Sequence, residues 1–450
     1  MGSNASFQWG RQPEAEQIFL QFIEECKEQN PFIAFFEKDL RIFTSTPLLA
    51  WIDHVIIESS DAYEHYLAKS GFTSDSAGPN YRVFHHPGAQ LPTIKLCDPE
   101  SEELGIAIKV DAIADFLMTQ GVSESIEGSL FSGYRRCCVS SEKGVSFWVI
   151  ERRGTRTLEP THAGDEQIKA YLQAKEQWKQ RLKDPEDEDT SMEEAIDIAE
   201  KLVDRLGKDL VAWIVLECER EYWQSRNRAA QIQKGRQDRL GLGWANHDHH
   251  TFRSSRKRFH QLVRLFEILG FHCRERFYAG EEAGWGAQVM ENSHCGIVLF
   301  LDVDLAPEEL EIDFAHHPLE PLKKLGTIGL WCALHGESIL KAGMHHLEAQ
   351  FIFQNLTEDL KAAGVGMMKP FSDLDYLKQA FTAGEVWQVN PYRVQTLLDQ
   401  GFIDRNQAEH FLEHGAVGSH LENLERKEGY KGFNPKNVSD IIKRTDPRFA

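Results

Sequence analysis

The sequence predicts an α+β fold in which βαβββ modules stand in tandem and close into cupped mixed sheets, with a helical linker and insertions. Three observations predict it. The segment Trp51–Ser59 (WIDHVIIES) is a β-branched apolar run of strand length, and Asp61–Gly71 follows it as an amphipathic helix. The same start recurs at His247–Ser255, where Phe259, Leu262, Val263, Phe266 and Leu269 follow at helical spacing and Gly270 ends the helix. Each start then leads into closely spaced short strands, the pattern of a unit that needs a partner to close its sheet.

The elements follow in order. A helix is expected over Ala15–Gln29, and after Asp61–Gly71 come strands at Tyr81–His86, Leu91–Cys97 and Leu104–Val110. A helix Asp111–Gln120 precedes strands Tyr134–Val139 and Gly144–Arg152, joined by a turn at Lys143-Gly144. Residues 164–240 become helical and densely charged, and KDPEDEDT at Lys183–Thr190 breaks them into two helices, which reads as a solvated spacer. Beyond it, strands are expected at Arg274–Ala279, Trp285–Glu291, Gly296–Val303 and His346–Phe353, and a helix at Leu356–Gly364. The predicted division is a degenerate N-terminal module over 1–163, a charged helical connection over 164–240, and a C-terminal metal-binding module over 241–450. Asp53-His54…Ser70-Gly71-Phe72 and Asp248-His249…Leu269-Gly270-Phe271 occupy equivalent places in the two modules.

Composition narrows the function. The 50 Lys and Arg against 70 Asp and Glu give a net charge of −20, which repels a phosphate backbone and argues against nucleic acid. Hydrophobic residues make up 41% and aromatics 10%, enough for packed cores. The eight cysteines are scattered without a CxxC pair, so a reducing cytoplasm is the expected location. No apolar run is long enough for a membrane span, and Met1-Gly2-Ser3-Asn4-Ala5 reads as a cloning scar rather than a signal peptide. The sequence leaves the oligomeric state open.

A cupped sheet can aim ligands inward from strands far apart in sequence, which suits a divalent metal. The candidates are His249 or His250 on the first strand of the second module, His345 or His346 on a later one, and an acidic residue near the end. Adjacent residues on a strand face opposite sides, so one histidine of each pair can enter the cup. Two imidazoles and a carboxylate leave one face of the metal open.

Four segments resemble the iron-dependent 2-oxoadipate dioxygenase/decarboxylase family of the vicinal oxygen chelate superfamily. They are Asp248-His249-His250-Thr251-Phe252-Arg253-Ser254, Gly343-Met344-His345-His346-Leu347 with Lys361-Ala362-Ala363-Gly364, Leu377-Lys378-Gln379 through Val386-Trp387, and Glu422-Asn423-Leu424-Glu425-Arg426. The closing run, Tyr430-Lys431-Gly432-Phe433 through Asp440-Ile441-Ile442 and Thr445, is similar too. The resemblance covers roughly residues 246–448. It implies Fe(II) held by His249, His346 and Glu422, dioxygen as co-substrate, and Arg253 gripping the carboxylate of a small 2-oxo acid that is oxidatively decarboxylated and hydroxylated. Gln379 and Ser419 are expected to hydrogen-bond the substrate.

Other readings compete. HDHH reads also as a surface turn, LENLERKEG as an exposed helix, and Glu385 and Glu348 as substitutes for Glu422. The insertion Asp304–Ala342 brings His316-His317, His335 and Glu337 as further ligand candidates. Glu58 stands four residues after His54, where the second module has Arg253, so the first module is expected to be catalytically silent. Two other functions fit the same cup: a Zn2+ or Ni2+ glyoxalase-type lyase or isomerase, and a metal-free protein that sequesters a small acid.

Overall fold

The computed structural model describes residues 9–78, 80–99, 104–434 and 445–448. Met1–Ala5 and the Asp440-Ile441-Ile442 part of the closing run lie outside the described residues. Helices α1 (Pro13–Gln29) and α2 (Pro31–Asp39) each open on a proline, where the missing N–H costs nothing, and Asn30 caps α2 by accepting from Phe32 N. The first sheet follows as β1 (Ile52–Glu58), α3 (Asp61–Lys69), β2 (Thr73–Gly78), β3 (Tyr81–His85), β4 (Thr93–Cys97), β5 (Leu104–Lys109), α4 (Ile113–Gln120), β6 (Tyr134–Glu142) and β7 (Val145–Arg152).

Its spatial order is β2-β3-β4-β1-β5-β7-β6. β1 lies parallel to β4, the last strand of its own unit, and antiparallel to β5, which opens the next. The predicted module is therefore a pair of units side by side, βαβββ and βαββ. β2 was not expected, because TSDSAG has neither alternation nor β-branched weight; its place is an edge, paired to β3 alone.

Four helices then run through α5 (Asp165–Lys179), α6 (Glu188–Leu206), α7 (Lys208–Ser225) and α8 (Arg228–Asp238). They are not a solvated spacer. Val211, Ala212, Ile214, Val215 and Leu216 of α7 are fully buried and share one core with Phe252, Leu299 and Leu347 of the sheet beyond. Burying such side chains contributes roughly 1.5–3 kcal/mol each, so the connection is structural to the C-terminal half. Of the charges of 183–190, Glu188 and Asp189 fall in the first turn of α6, where acids favour a helix N-terminus.

The second sheet is built from β8 (His247–Arg253), α9 (Phe259–Ile268), β9 (His272–Tyr278), β10 (Trp285–Asn292) and β11 (Ile297–Asp304). It continues, after α10 (Thr327–His335), with β12 (His346–Gln350), α11 (Phe353–Ala362), β13 (Ser372–Leu374), β14 (Leu377–Phe381), β15 (Glu385–Trp387), α12 (Pro391–Asp399), α13 (Arg405–His414) and β16 (Ala416–Arg426). The order is β13-β14-β16-β12-β8-β11-β10-β9, with β15 on β16. Again two units meet through their first strands: β8 pairs antiparallel with β12, while β8 with β11 and β12 with β16 are parallel. The fold is thus α+β, tandem βαβββ modules closing into cupped mixed sheets. Helices cover one face of the second sheet; its other face carries the polar row described next. Among the described residues no helix is long and apolar enough to cross a membrane, and all eight cysteines are free thiols.

Candidate metal centre

Register brings three distant segments together. His249 on β8 stands opposite Glu348 on β12, and Glu348 opposite Glu422 on β16, so these side chains form one row across three neighbouring strands. Cross-strand neighbours have Cβ atoms roughly 4.5–5.5 Å apart, close enough for imidazoles and carboxylates to converge. His346, two residues before Glu348, shares its face. Leu347 and Ala349 point the other way into the core, as do Phe252 on β8 and Leu421 on β16. Strand alternation thereby separates the histidine pairs: His249 lines the cup, whereas His250 turns back to α7 and Arg220 Nη1, 3.2 Å away.

The donors of His249, His346 and Glu422 lie within 4.8 Å of one another, and all three residues are buried. His346 Nε2 is 2.8 Å and His249 Nε2 4.0 Å from Glu422 Oε2. Adjacent ligands on one divalent ion, each about 2.0–2.2 Å from it, sit close to 3 Å apart. The residues therefore fit a metal. Glu348 adds a fourth donor: its Oε2 is 2.8 Å from His249 Nε2, yet neither of its oxygens has a donor in line. Two buried carboxylates, Glu348 and Glu422, thus face the one His249 imidazole, an arrangement that a further cation would stabilise.

Electrostatics agree. Burial raises the Glu348 carboxyl to about 8, with Glu422 repelling it further, and burial raises Glu422 to about 7. Burial works against a charged His249, but Glu348, Asp248 and Glu422 outweigh it and lift His249 to about 10. His346 is pushed well below the ordinary range by burial and by the His249 charge, so it is a neutral imidazole with a free lone pair. Two surrounding contacts aim the ligands. His345 Nδ1 is 2.8 Å from His346 Nδ1, and Asp248 Oδ1 lies 3.4 Å from His249 Nδ1 while Arg426 and Gln350 hold that carboxylate.

Arg253 shares the His249 face and is 3% exposed. Its guanidinium carbon sits 5.4 Å from the Trp331 ring centroid, its Nε 3.8 Å from Asp302 Oδ2, and Nε and Nη1 have no hydrogen-bond partner. Between them on the strand, Thr251 also leaves its hydroxyl unpaired. Gln379 is in the cup but already engaged: its Nε2 donates to Glu422 Oε1 at 3.3 Å and its Oε1 accepts from Asn434 N at 3.1 Å. It orients the carboxylate.

Ser419 is not brought to the cup. It faces the opposite side of β16, where its Oγ accepts from Asn227 Nδ2 at 2.7 Å. Glu385 is likewise outside, accepting from Arg228 N. In the insertion, His316 is an exposed partner of Glu267 and Asp313, His335 Nε2 bonds Val417 O, and Glu337 accepts from Ser254 and the Ser255 N–H. Ser419→Ala is expected to lower stability by about 1–3 kcal/mol, because it strands a buried amide, while metal content stays unchanged; thermal unfolding and metal analysis check both.

An aromatic wall completes a cavity of about 60 Å³ lined by the row. Phe300 and Phe433 pack at 4.6 Å between ring centroids, and His249 lies 4.6 Å from the first and 5.1 Å from the second. Sequence reading missed this wall, Thr251 and Asp302. The i, i+2 alternation of His249-Thr251-Arg253 is the signal that could have found Thr251. In the first module, His54 is buried and bonds Asp53 at 2.7 Å, which Arg152 also holds, and Glu58 is at the exposed end of β1.

No family profile matches the sequence, and no curated protein matches it. Among solved structures, a mutant of 4-hydroxymandelate synthase from Streptomyces coelicolor is 11% identical over 88% of this chain and 98% of its own, with a TM-score of 0.29. Methylmalonyl-CoA epimerase from Mycobacterium tuberculosis is 10% identical over 40% of this chain and 87% of its own, TM-score 0.23. The uncharacterized protein YdcJ from Shigella flexneri is 10% identical over 58% and 73%, TM-score 0.24. Likenesses this distant carry no weight for family or activity, and the fold stands on its own strand pairing.

Proposed function

We propose that this chain is a non-haem Fe(II)-dependent dioxygenase acting on a small 2-oxo acid, coupling oxidative decarboxylation to hydroxylation of a 2-oxoadipate-like substrate. The observation that carries the reading is the pairing of a two-histidine, one-carboxylate cluster with a buried, unsatisfied arginine on the same strand face. Iron held by His249, His346 and Glu422 would supply the redox chemistry that joins dioxygen reduction to oxidation of the acid. The chain's own residues supply the rest. Arg253 offers two parallel N–H donors to a carboxylate, and its burial strengthens that contact because water does not compete. Phe300, Phe381 and Phe433 exclude solvent, and Gln379 keeps Glu422 aimed at the metal.

The test is oxygen uptake and CO2 release by the iron-loaded protein with a panel of 2-oxo acids; silence with every acid defeats the reading. Arg253→Met is expected to raise KM for the responding acid roughly 100-fold, as loss of a charge-assisted contact worth about 2–3 kcal/mol requires, with metal content unchanged.

One observation favours a second reading. Glu348 stands close enough to act as a fourth ligand, which would close a position that dioxygen needs and suit a Zn2+ or Ni2+ lyase or isomerase of glyoxalase type. Zinc with oxygen-independent turnover supports that chemistry, whereas iron with activity lost under anaerobiosis supports the first.

A further inference from the structure

Behind the candidate ligands lie two further imidazoles, His345 and His420. His420 on β16 stands opposite His346 on β12, two residues before Glu422 and so on the same face. His345 immediately precedes β12, and its backbone is pinned on both sides: its N–H donates to Thr251 O at 2.9 Å and its carbonyl accepts from His420 N at 3.3 Å. The His345 ring centroid is 5.0 Å from that of His346 and 5.3 Å from that of His420. Burial holds His345 and His346 well below the ordinary histidine range and takes His420 down to about 3. Each is a neutral ring with one N–H and one lone pair.

Which nitrogen carries each proton follows from the partners. His420 Nδ1 is 3.0 Å from Thr382 O, which can only accept, so Nδ1 holds the proton and Nε2 keeps the lone pair. That carbonyl belongs to a fixed residue: Thr382 N donates to Leu421 O and Thr382 Oγ1 accepts from Leu421 N, both at 3.0 Å. At the other end, His346 can ligate a cation only through a bare nitrogen, and its Nε2, 2.8 Å from Glu422 Oε2, is the one that faces the cluster. Its proton then sits on Nδ1 and is donated to His345 Nδ1, 2.8 Å away. His345 in turn carries its own proton on Nε2. The two atoms left over are His345 Nε2, now a donor, and His420 Nε2, an acceptor; both are buried and unbonded, on rings already in contact.

We propose that His345 and His420 are positioning residues for the metal ligand His346, in a chain that runs from His346 Nδ1–H to His345 Nδ1, from His345 Nε2–H to His420 Nε2, and from His420 Nδ1–H to the Thr382 carbonyl. The chain leaves His346 Nε2 bare for the cation, and each ring keeps one proton throughout. It rests on the candidate metal centre and not on the reaction proposed for it. Outer partners that fix the tautomer of a ligating imidazole are typically worth about 10–100-fold in metal affinity.

The test is a calorimetric titration of the full chain with Co(II). His345→Phe and His420→Phe keep a ring in place and remove the hydrogen bonds, and each is expected to weaken binding at least about tenfold. His420→Gln, whose Oε1 can accept, should return to within about threefold of the native chain. Because the two histidines act through one chain, the H345F/H420F double variant should bind no more weakly than H345F alone, within about twofold. His335→Phe is the packing control: that ring also lies against Trp331 but bonds Val417 O, so it should lower stability and leave affinity unchanged. Native affinity in H420F, additive losses in the double variant, or an equal loss in H335F overturns the proposal, and a native chain that takes up no metal removes the centre along with it. Should H420F not fold, ring nitrogen-15 spectra of the native zinc-loaded chain decide: a proton on His345 Nε2 supports the chain, and a proton on its Nδ1 refutes it.

Discussion

His249→Ala is expected to abolish tight divalent-metal binding, with a loss of well over 100-fold in affinity, and to remove metal-dependent turnover. Changes to groups that merely orient metal ligands already cost about 10–100-fold, and His249 is the ligand that β8 itself contributes. Without it, His346 and Glu422 remain on adjacent strands, and the Glu348 and Glu422 carboxylates lose the cation between them. Metal content after dialysis and a calorimetric titration with Co(II) measure the effect. His250→Ala is the control, since that ring faces α7; it should keep one metal per chain and change only stability. A full equivalent of metal in H249A would remove the basis of the candidate centre.

Glu348→Gln has the second large effect, on the stability of the metal-free chain and its dependence on pH. In the unfolded chain a Glu ionises near 4.5, whereas the folded chain holds Glu348 at about 8 and Glu422 at about 7. A raised carboxyl binds its proton more tightly in the folded state, so its contribution is complete below 4.5 and is lost as pH rises through 7 to 8. His249 has the same sign: lifted from 6.5 to about 10, it stabilises fully below 6.5 and ceases to do so as pH approaches 10. Above pH 6.5, where the buried neutral histidines no longer oppose the trend, the metal-free native chain should therefore weaken steadily up to pH 9. E348Q removes one of two like charges from a buried site, so it should raise stability near pH 8.5 by about 2–4 kcal/mol and flatten the slope. Saturating divalent cation should flatten it in the native chain too. Denaturant unfolding across that range is the measurement; parallel native and E348Q curves would show that the two carboxyls do not share the field inferred here.

Much of this site is legible in the sequence, and for one reason. Strand alternation is a property of the chain itself, so His249 with Arg253 on one face, and His250 on the other, follows once β8 is recognised. The same rule brings His346 with Glu348. Legibility failed where local pattern and environment diverge. TSDSAG reads as a loop, yet an edge position asks little of its side chains. The charged 164–240 segment reads as a spacer, yet the apolar stripe of α7 carries the back of the second sheet. Ser419 is expected to hydrogen-bond the substrate, yet its odd separation from Glu422 on β16 turns it to the opposite face, onto Asn227.

What the sequence alone determined is the inventory: two repeated β-α starts, a set of histidines and carboxylates spaced for strand faces, and a strongly acidic surface. What only the tertiary structure decided is adjacency. Each sheet is a pair of units joined through their first strands, and it is that pairing which sets His249, Glu348 and Glu422 in one row although they lie far apart in the chain. Local periodicity encodes which face a residue takes. Which other strand lies beside it depends on long-range pairing and register, and these are settled by the burial of whole faces, a quantity no short stretch of sequence contains.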